Sequence, residues 1–163
     1  MDCTSDSFTS YDGLVISGSE ASVTDIDKIP WVKKLEDLVK DIHKLKEGRP
    51  QTVGLCFGHQ IIAHALGGKV VRNEKGLEMG NHTISVSSDG KEYLNSLGDD
   101  GGGGEGAWRI VGDLNVHFVH NDMVVDVPPS FSNIGSTDLC EVQGLYNKDD
   151  ILTFQGYYTF VCV

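Results

Sequence analysis

Cys56 stands between two glycines, Gly54 and Gly58, where an apolar strand pattern gives way to a helical one. A thiol becomes a working nucleophile as the thiolate. A small residue two places on either side lets the backbone turn tightly and lets strand and helix pack closely. The side chain at the turn is then held outward in a strained conformation, as in a nucleophile elbow. The positive N-terminal end of the following helix is expected to favour thiolate at Cys56. A free cysteine is more often a small core residue. The flanking glycines and the polar Gly58-His59-Gln60 opening of the helix point to the elbow instead.

The elements that must hold this turn follow from periodicity. Val53, Leu55 and Phe57 supply strand character, and Ile61, Ile62, Ala65 and Leu66 recur at helical spacing before Gly67 and Gly68 stop the helix. Upstream, residues 11–17 read as a strand ending at Gly18-Ser19. Backbone N–H groups at such a strand end can line an oxyanion site; a simple turn is the alternative. Residues 25–46 read largely as a helix with Pro30 as a start position and Trp31, Leu35, Leu38, Val39, Ile42 and Leu45 on its apolar face. Lys33, Lys34, Glu36, Asp37, Lys40 and Asp41 are expected on its solvated face. Strand, helix, strand, helix signals a parallel sheet covered by helices.

Downstream the pattern turns strand-rich, with strands expected at residues 69–72, 81–87, 108–111, 114–119, 124–127, 131–136, 140–146 and 151–155, and a short helix at 91–97. Residues 98–106 are glycine-rich and acidic, a polar surface loop rather than a phosphate loop. The expected fold is one α/β domain over residues 1–163: an open, mostly parallel sheet flanked by helices, with an antiparallel extension.

A net charge of −11 argues against nucleic acid or an anionic membrane as partner. No apolar run reaches membrane-spanning length, and the N-terminus lacks a basic and an apolar signal region. Cys3, Cys56, Cys140 and Cys162 show neither zinc-site spacing nor a disulfide framework, so no metal or cofactor is expected and a reducing cytoplasm is the natural compartment.

Gly54-Leu55-Cys56-Phe57-Gly58-His59-Gln60 resembles the GxCxGHQ signature of class I glutamine amidotransferases, whose fold is flavodoxin-like. Tyr11-Asp12-Gly13 with Val15-Ile16-Ser17-Gly18-Ser19 is similar to the family's oxyanion strand, in the form of its cytosolic stand-alone branch. Pro30-Trp31, His120-Asn121-Asp122-Met123-Val124 with Pro128-Pro129, and Ser136-Thr137-Asp138 through Gln143-Gly144 resemble that branch too. The resemblance covers about residues 11–160. It implies that Cys56 attacks the side-chain amide of glutamine or a γ-glutamyl compound, forming a glutamyl thioester that water then cleaves. It further implies an oxyanion hole from the N–H groups of Phe57 and of Gly18 or Ser19, and a role for Gln60 in the glutamine pocket. A synthetase or a regulatory protein is the partner it suggests.

The chain departs from the family at its far end. Where the family carries His and Glu in a motif like Gln-Gly-His-Pro-Glu-Phe, this chain has Gln155-Gly156-Tyr157-Tyr158-Thr159-Phe160. Tyr157 and Thr159 thus stand at the two remaining triad positions. A phenol cannot serve as acid and base at neutral pH as an imidazole does. The family's first strand and helix, and its closing helix, are expected to be missing. His43, His59, His64, His82, His117 and His120 each have a packing or surface reading; His120 with Asp122 matches a family block that resembles a structural or pocket-edge element. Four readings stay open: an amidotransferase-type hydrolase, a non-catalytic relative that binds or regulates, a shortened product, and a redox-sensing thiol.

Overall fold

A computed structural model describes residues 5–98 and 110–157. Strand β1 (Gly13–Ile16) leads through a 3-10 segment, Val23–Lys28, into helix α1 (Pro30–His43). Strand β2 (Gln51–Leu55) then hands over directly to helix α2 (Phe57–Ala65). Strands β3 (Lys69–Arg72) and β4 (Glu78–Val86), helix α3 (Ser88–Leu97), and strands β5 (Leu114–His120), β6 (Asp122–Asp126), β7 (Ser132–Ser136), β8 (Gly144–Tyr146) and β9 (Ile151–Phe154) complete the order.

Seven strands form one sheet in the order β1-β2-β9-β8-β7-β4-β5, and β3 pairs with β6 in a separate antiparallel ribbon. β1, β2 and β9 run parallel; every other neighbouring pair is antiparallel. Two of the six pairings are parallel and four antiparallel, so the sheet is mixed rather than mostly parallel: three parallel strands carry the elbow, and the antiparallel extension supplies the other four. The register Gly54↔Thr153 and Leu55↔Phe154 seats the elbow strand against β9.

Alternation along β9 shows how the two faces of the sheet are filled. Ile151 joins a core with Ile16, Val32, Val39, Phe57, Ile61 and Ile62 beneath α1 and α2. Leu152 and Phe154 pack on the other side with Ile84, Leu94, Val116, Phe118 and Ile134, beneath α3. Each face therefore removes a continuous apolar surface from water, the main driving force for this architecture.

The expected helix over residues 25–46 is two pieces. Ser22 caps the 3-10 segment, accepting a hydrogen bond from the Thr24 N–H at 3.1 Å. Ile29 is extended (φ −120°, ψ 95°), as a residue before proline prefers, and α1 starts at Pro30 and ends at His43. Its buried positions are Val32, Glu36, Val39 and Ile42, so the inward face is rotated from the expected one. Trp31 is 49% exposed, its ring 5.6 Å from that of Phe57. Glu36, expected in solvent, is buried. Burial pushes its carboxyl up, but Lys33 and Lys40, each at 2.5 Å, more than offset this and hold it below the ordinary carboxylate range.

Two expected strands are shorter or absent. Only Gly144–Tyr146 of 140–146 is a strand, because the Cys140 carbonyl is taken by the Thr137 N–H in a turn at 2.8 Å. Of 108–111, residues Ile110 and Val111 are described and lie outside strands. The Asn95 amide takes both backbone groups of Ile110, which would otherwise seek a ladder partner. The loop expected at 98–106 lies, beyond Gly98, outside the described residues. Among the described residues, no helix is long and apolar enough to cross a membrane.

Candidate active site at the strand-to-helix turn

Cys56 is the one residue between β2 and α2, with φ 53° and ψ −106°. A positive φ in a residue with a Cβ is a strained conformation that the surrounding structure must enforce. Backbone hydrogen bonds do so on both sides. The Cys56 N–H donates to the Phe154 carbonyl at 2.8 Å, and its carbonyl accepts from the Gln60 N–H at 3.2 Å. The flanking glycines are required by space. A Cβ on Gly58 would run into the Ile16 carbonyl of β1, and one on Gly54 would lie 2.7 Å from Ile62 Cδ1 and 2.8 Å from the Gly58 carbonyl oxygen. The elbow read from residue spacing is present.

The thiol fronts a cleft of about 220 Å³ lined by Ser19, Ser22, Gln60, Arg72, Leu77, His120 and Asp122 among others. A larger hollow of about 530 Å³ lies between Asp89, Tyr93 and Tyr146. It is lined by neither a thiol nor an imidazole. Asp122 organises that cleft. Its carboxylate accepts from the Ser22 hydroxyl and pairs with Arg72 Nη1 at 3.3 Å. Its main-chain carbonyl accepts from Gln60 Nε2 at 2.9 Å and from His120 Nδ1 at 3.0 Å. Gln60 Nε2 also donates to Gln155 Oε1 at 3.1 Å, which fixes the amide at the cleft wall. The β3–β6 ribbon makes this possible, because its register sets Arg72 opposite Asp122.

The Cys56 sulfur lies 3.9 Å from the Val119 carbonyl, and the Tyr157 hydroxyl and the Cys56 side chain meet at Gly18. Burial pushes the thiol above its ordinary value; the Phe57 N–H and the Tyr157 hydroxyl pull it back only in part. The expected thiolate-favouring effect of the helix end is thus outweighed by desolvation, since Cys56 is only 9% exposed. Burial and the neighbouring sulfur likewise raise the Tyr157 phenol.

Tyr157 is brought here by a backbone bridge to His117 of β5, with hydrogen bonds of 2.8 and 3.0 Å in the two directions. Its hydroxyl stands against Gly18, where a Cβ on that glycine would collide with it. Of the expected oxyanion donors, then, Gly18 lies against the Tyr157 hydroxyl, and Phe57 opens α2 directly after Cys56. Ser19 lines the cleft, its hydroxyl accepting from the Ala21 N–H at 3.1 Å. Thr159 lies outside the described residues.

Among the described residues, no imidazole hydrogen-bonds to the Cys56 sulfur. His59 is fully buried on α2, its Nδ1 2.8 Å from the Thr153 hydroxyl. Burial, aided by His120, lowers it to about 3, so it is neutral at physiological pH. His120 lines the cleft, and both ring nitrogens are engaged: Nδ1 with the Asp122 carbonyl and Nε2 with Glu78 Oε2 at 2.8 Å. Glu78 was not singled out by the sequence reading. It is fully buried and also accepts from the Thr137 hydroxyl at 2.6 Å and Gln143 Nε2 at 2.7 Å. Burial pushes its carboxyl up, and these three donors more than offset that. The available signal was its place at an inward position of an alternating strand, in step with Ile84 and Val86.

The sequence matches the family model described as glutamine amidotransferase class-I over residues 2–156. It is 37% identical over 153 residues to a glutamine amidotransferase-like protein of Schizosaccharomyces pombe, covering 94% of this chain and 54% of that one. It is 31% identical over 148 residues to gamma-glutamyl peptidase 3 of Arabidopsis thaliana, covering 90% and 54%. The chain thus spans about half the length of these curated relatives. Among solved structures, a glutamine amidotransferase from Methylobacillus flagellatus superposes with a TM-score of 0.69 at 23% identity, covering 90% of this chain and 51% of that one. At that identity the likeness speaks for the fold.

Proposed function

The chain belongs to the class I glutamine amidotransferase family, and from that premise we propose that the Cys56 cleft receives glutamine or a γ-glutamyl compound. One observation carries this reading: a strained cysteine at a strand-to-helix turn faces a small cleft walled by an amide, a carboxylate and a guanidinium. Asp122 and Arg72 suit the ammonium and carboxylate of an amino-acid head, and Gln60 is fixed at the wall between them and the sulfur. In the catalytic form of the reading, the Cys56 thiolate attacks the γ-carbonyl. A sulfur–carbon bond forms, the carbon–nitrogen bond breaks, and ammonia or an amine leaves with a proton. Water then cleaves the thioester and restores the thiol.

A second reading, binding without turnover, is favoured by the Tyr157 hydroxyl at the thiol where the related motif has an imidazole. An amide nitrogen must be protonated to leave, and a raised phenol is a poor source and sink of protons at neutral pH. A cytoplasmic setting and a synthetase or regulatory partner belong to the same proposal.

Two measurements on the 163-residue chain separate the readings. Calorimetric titration with glutamine, glutamate and a γ-glutamyl dipeptide tests binding. Release of ammonia or glutamate, compared with Cys56→Ala, tests turnover. Turnover abolished in the variant supports the hydrolase, and binding alone supports the second reading. Neither binding nor turnover would refute the proposal.

A further inference from the structure

Every acyl transfer to a thiol passes through a tetrahedral oxyanion that needs donors beside the nucleophile. In this chain the place beside Cys56 and the Gly18 N–H is filled from within. The ring of Tyr157 reaches across from its bridge with His117 and sets its hydroxyl against Gly18, where a side chain of any size on Gly18 would collide with it. The same built position on Gly18 lies 3.5 Å from Cys56 Cβ and 3.1 Å from Tyr157 Cζ, so the three residues meet at one point. The hydroxyl thus stands against Gly18 and beside the Cys56 side chain.

We propose that Tyr157 is an internal occupant of the oxyanion position, and that an acyl donor reaches Cys56 only when this hydroxyl gives way. Tyr157 then decides which electrophiles the thiol accepts. Reactions that build a tetrahedral oxyanion are hindered, and direct displacement at carbon by the sulfur is not. The inference rests on the reading of Cys56 as an acyl-accepting nucleophile, but it requires no particular acyl group. It follows that the Tyr157 substitution does more than delete a base: it puts a neutral group where the reaction would place negative charge.

The test compares two probes on the intact chain. p-Nitrophenyl acetate acylates the thiol through an oxyanion: a sulfur–carbon bond forms, the aryl carbon–oxygen bond breaks, p-nitrophenolate departs, and the thiol proton goes to water. Iodoacetamide alkylates the same sulfur by displacing iodide, with no oxyanion. Both rates depend on the thiolate, so their ratio cancels any change in its population. Modification is assigned to Cys56 by peptide mass and by Cys56→Ala. In Tyr157→Phe the acylation-to-alkylation ratio is expected to rise about tenfold, the equivalent of freeing one hydrogen-bond donor. Tyr157→Ala is expected to raise it at least as much, and it serves if the phenylalanine variant does not fold. An unchanged ratio in the folded variants overturns the proposal. A lower ratio also overturns it, by showing that the hydroxyl assists the oxyanion. Because neither probe carries a γ-glutamyl group, either result stands apart from whether the cleft binds glutamine.

Discussion

Acid should loosen the helix that carries the elbow, and His59 is the reason. The ring sits on α2 three residues after Cys56, fully buried, and its value is lowered from 6.5 to about 3, first by burial and then by His120. The unfolded chain therefore binds a proton at pH values where the folded chain refuses it. Stability from this residue is complete above the unfolded value and is lost as pH falls towards the folded one. At up to about 1.4 kcal/mol per pH unit, the loss from pH 6.5 to pH 5 is about 2 kcal/mol, rising to about 4 kcal/mol near pH 3. A domain typically has about 5–15 kcal/mol in all, so the first part alone is measurable. The interval from pH 6.5 to 5 is chosen because it lies above the ordinary titration of carboxylates. The control is His59→Leu. It leaves the Thr153 hydroxyl with its two other partners, the Leu145 N–H at 3.2 Å and the Leu145 carbonyl at 3.3 Å. Urea unfolding of both proteins at several pH values gives the two slopes. The wild-type slope should be steeper by about 2 kcal/mol over that interval. Equal slopes would refute the reasoning, whatever the absolute stabilities.

Three other outcomes are expected. Gly58→Ala should lower stability by about 2–4 kcal/mol in chemical denaturation, because its methyl meets the Ile16 main chain, which cannot step aside; a loss below about 1 kcal/mol would contradict that packing. Glu78→Leu strips the shared acceptor from His120, Thr137 and Gln143 and should cost about 3–5 kcal/mol by the same assay, with Glu78→Gln closer to wild type. In the folded protein, iodoacetamide labelling of Cys56 should rise with pH to a midpoint above that of the same thiol in the unfolded chain, since burial raises it. Cys140, pushed up to about 12, should stay unlabelled at pH 9 until the chain is unfolded; equal labelling of both at that pH would count against both assignments.

The elbow was legible in the sequence because its requirements are local. Gly54 leaves room for Ile62 and the Gly58 carbonyl within the same strand–turn–helix unit, whereas Gly58 leaves room for the Ile16 carbonyl of β1, a constraint that the spacing marks without revealing its source. The same locality explains why residues 51–66 divide where periodicity says they should. The state of the thiol was not legible, since the desolvation that raises it is a property of the folded surroundings rather than of the turn. Glu36 was misplaced because Trp31 and Val32 are both apolar neighbours, and choosing the wrong one rotates the whole face of α1. Packing against the 3-10 segment and α2 resolves that choice, and no pattern within the helix does. The partnership of His120 with Glu78 joins residues 42 apart on adjacent strands, so it emerges only once the β4–β5 register is known. The reach of Tyr157 to Gly18 spans nearly the whole described chain, and its alignment with a histidine in the related motif gave no hint that it would fill the space in front of the nucleophile.

The placement of β9 has a consequence for how the molecule is made. It lies between β2 and β8, yet it is the last strand of the described chain to leave the ribosome. Until Ile151–Phe154 emerges, β2 has one open edge, the Cys56 N–H lacks the Phe154 carbonyl, and the two halves of the sheet have no seam to join along. The nascent elbow must therefore wait, unsupported, for about a hundred residues of synthesis. A stall or cleavage in that interval would release a chain with the nucleophile present and the scaffold for its strained geometry still missing.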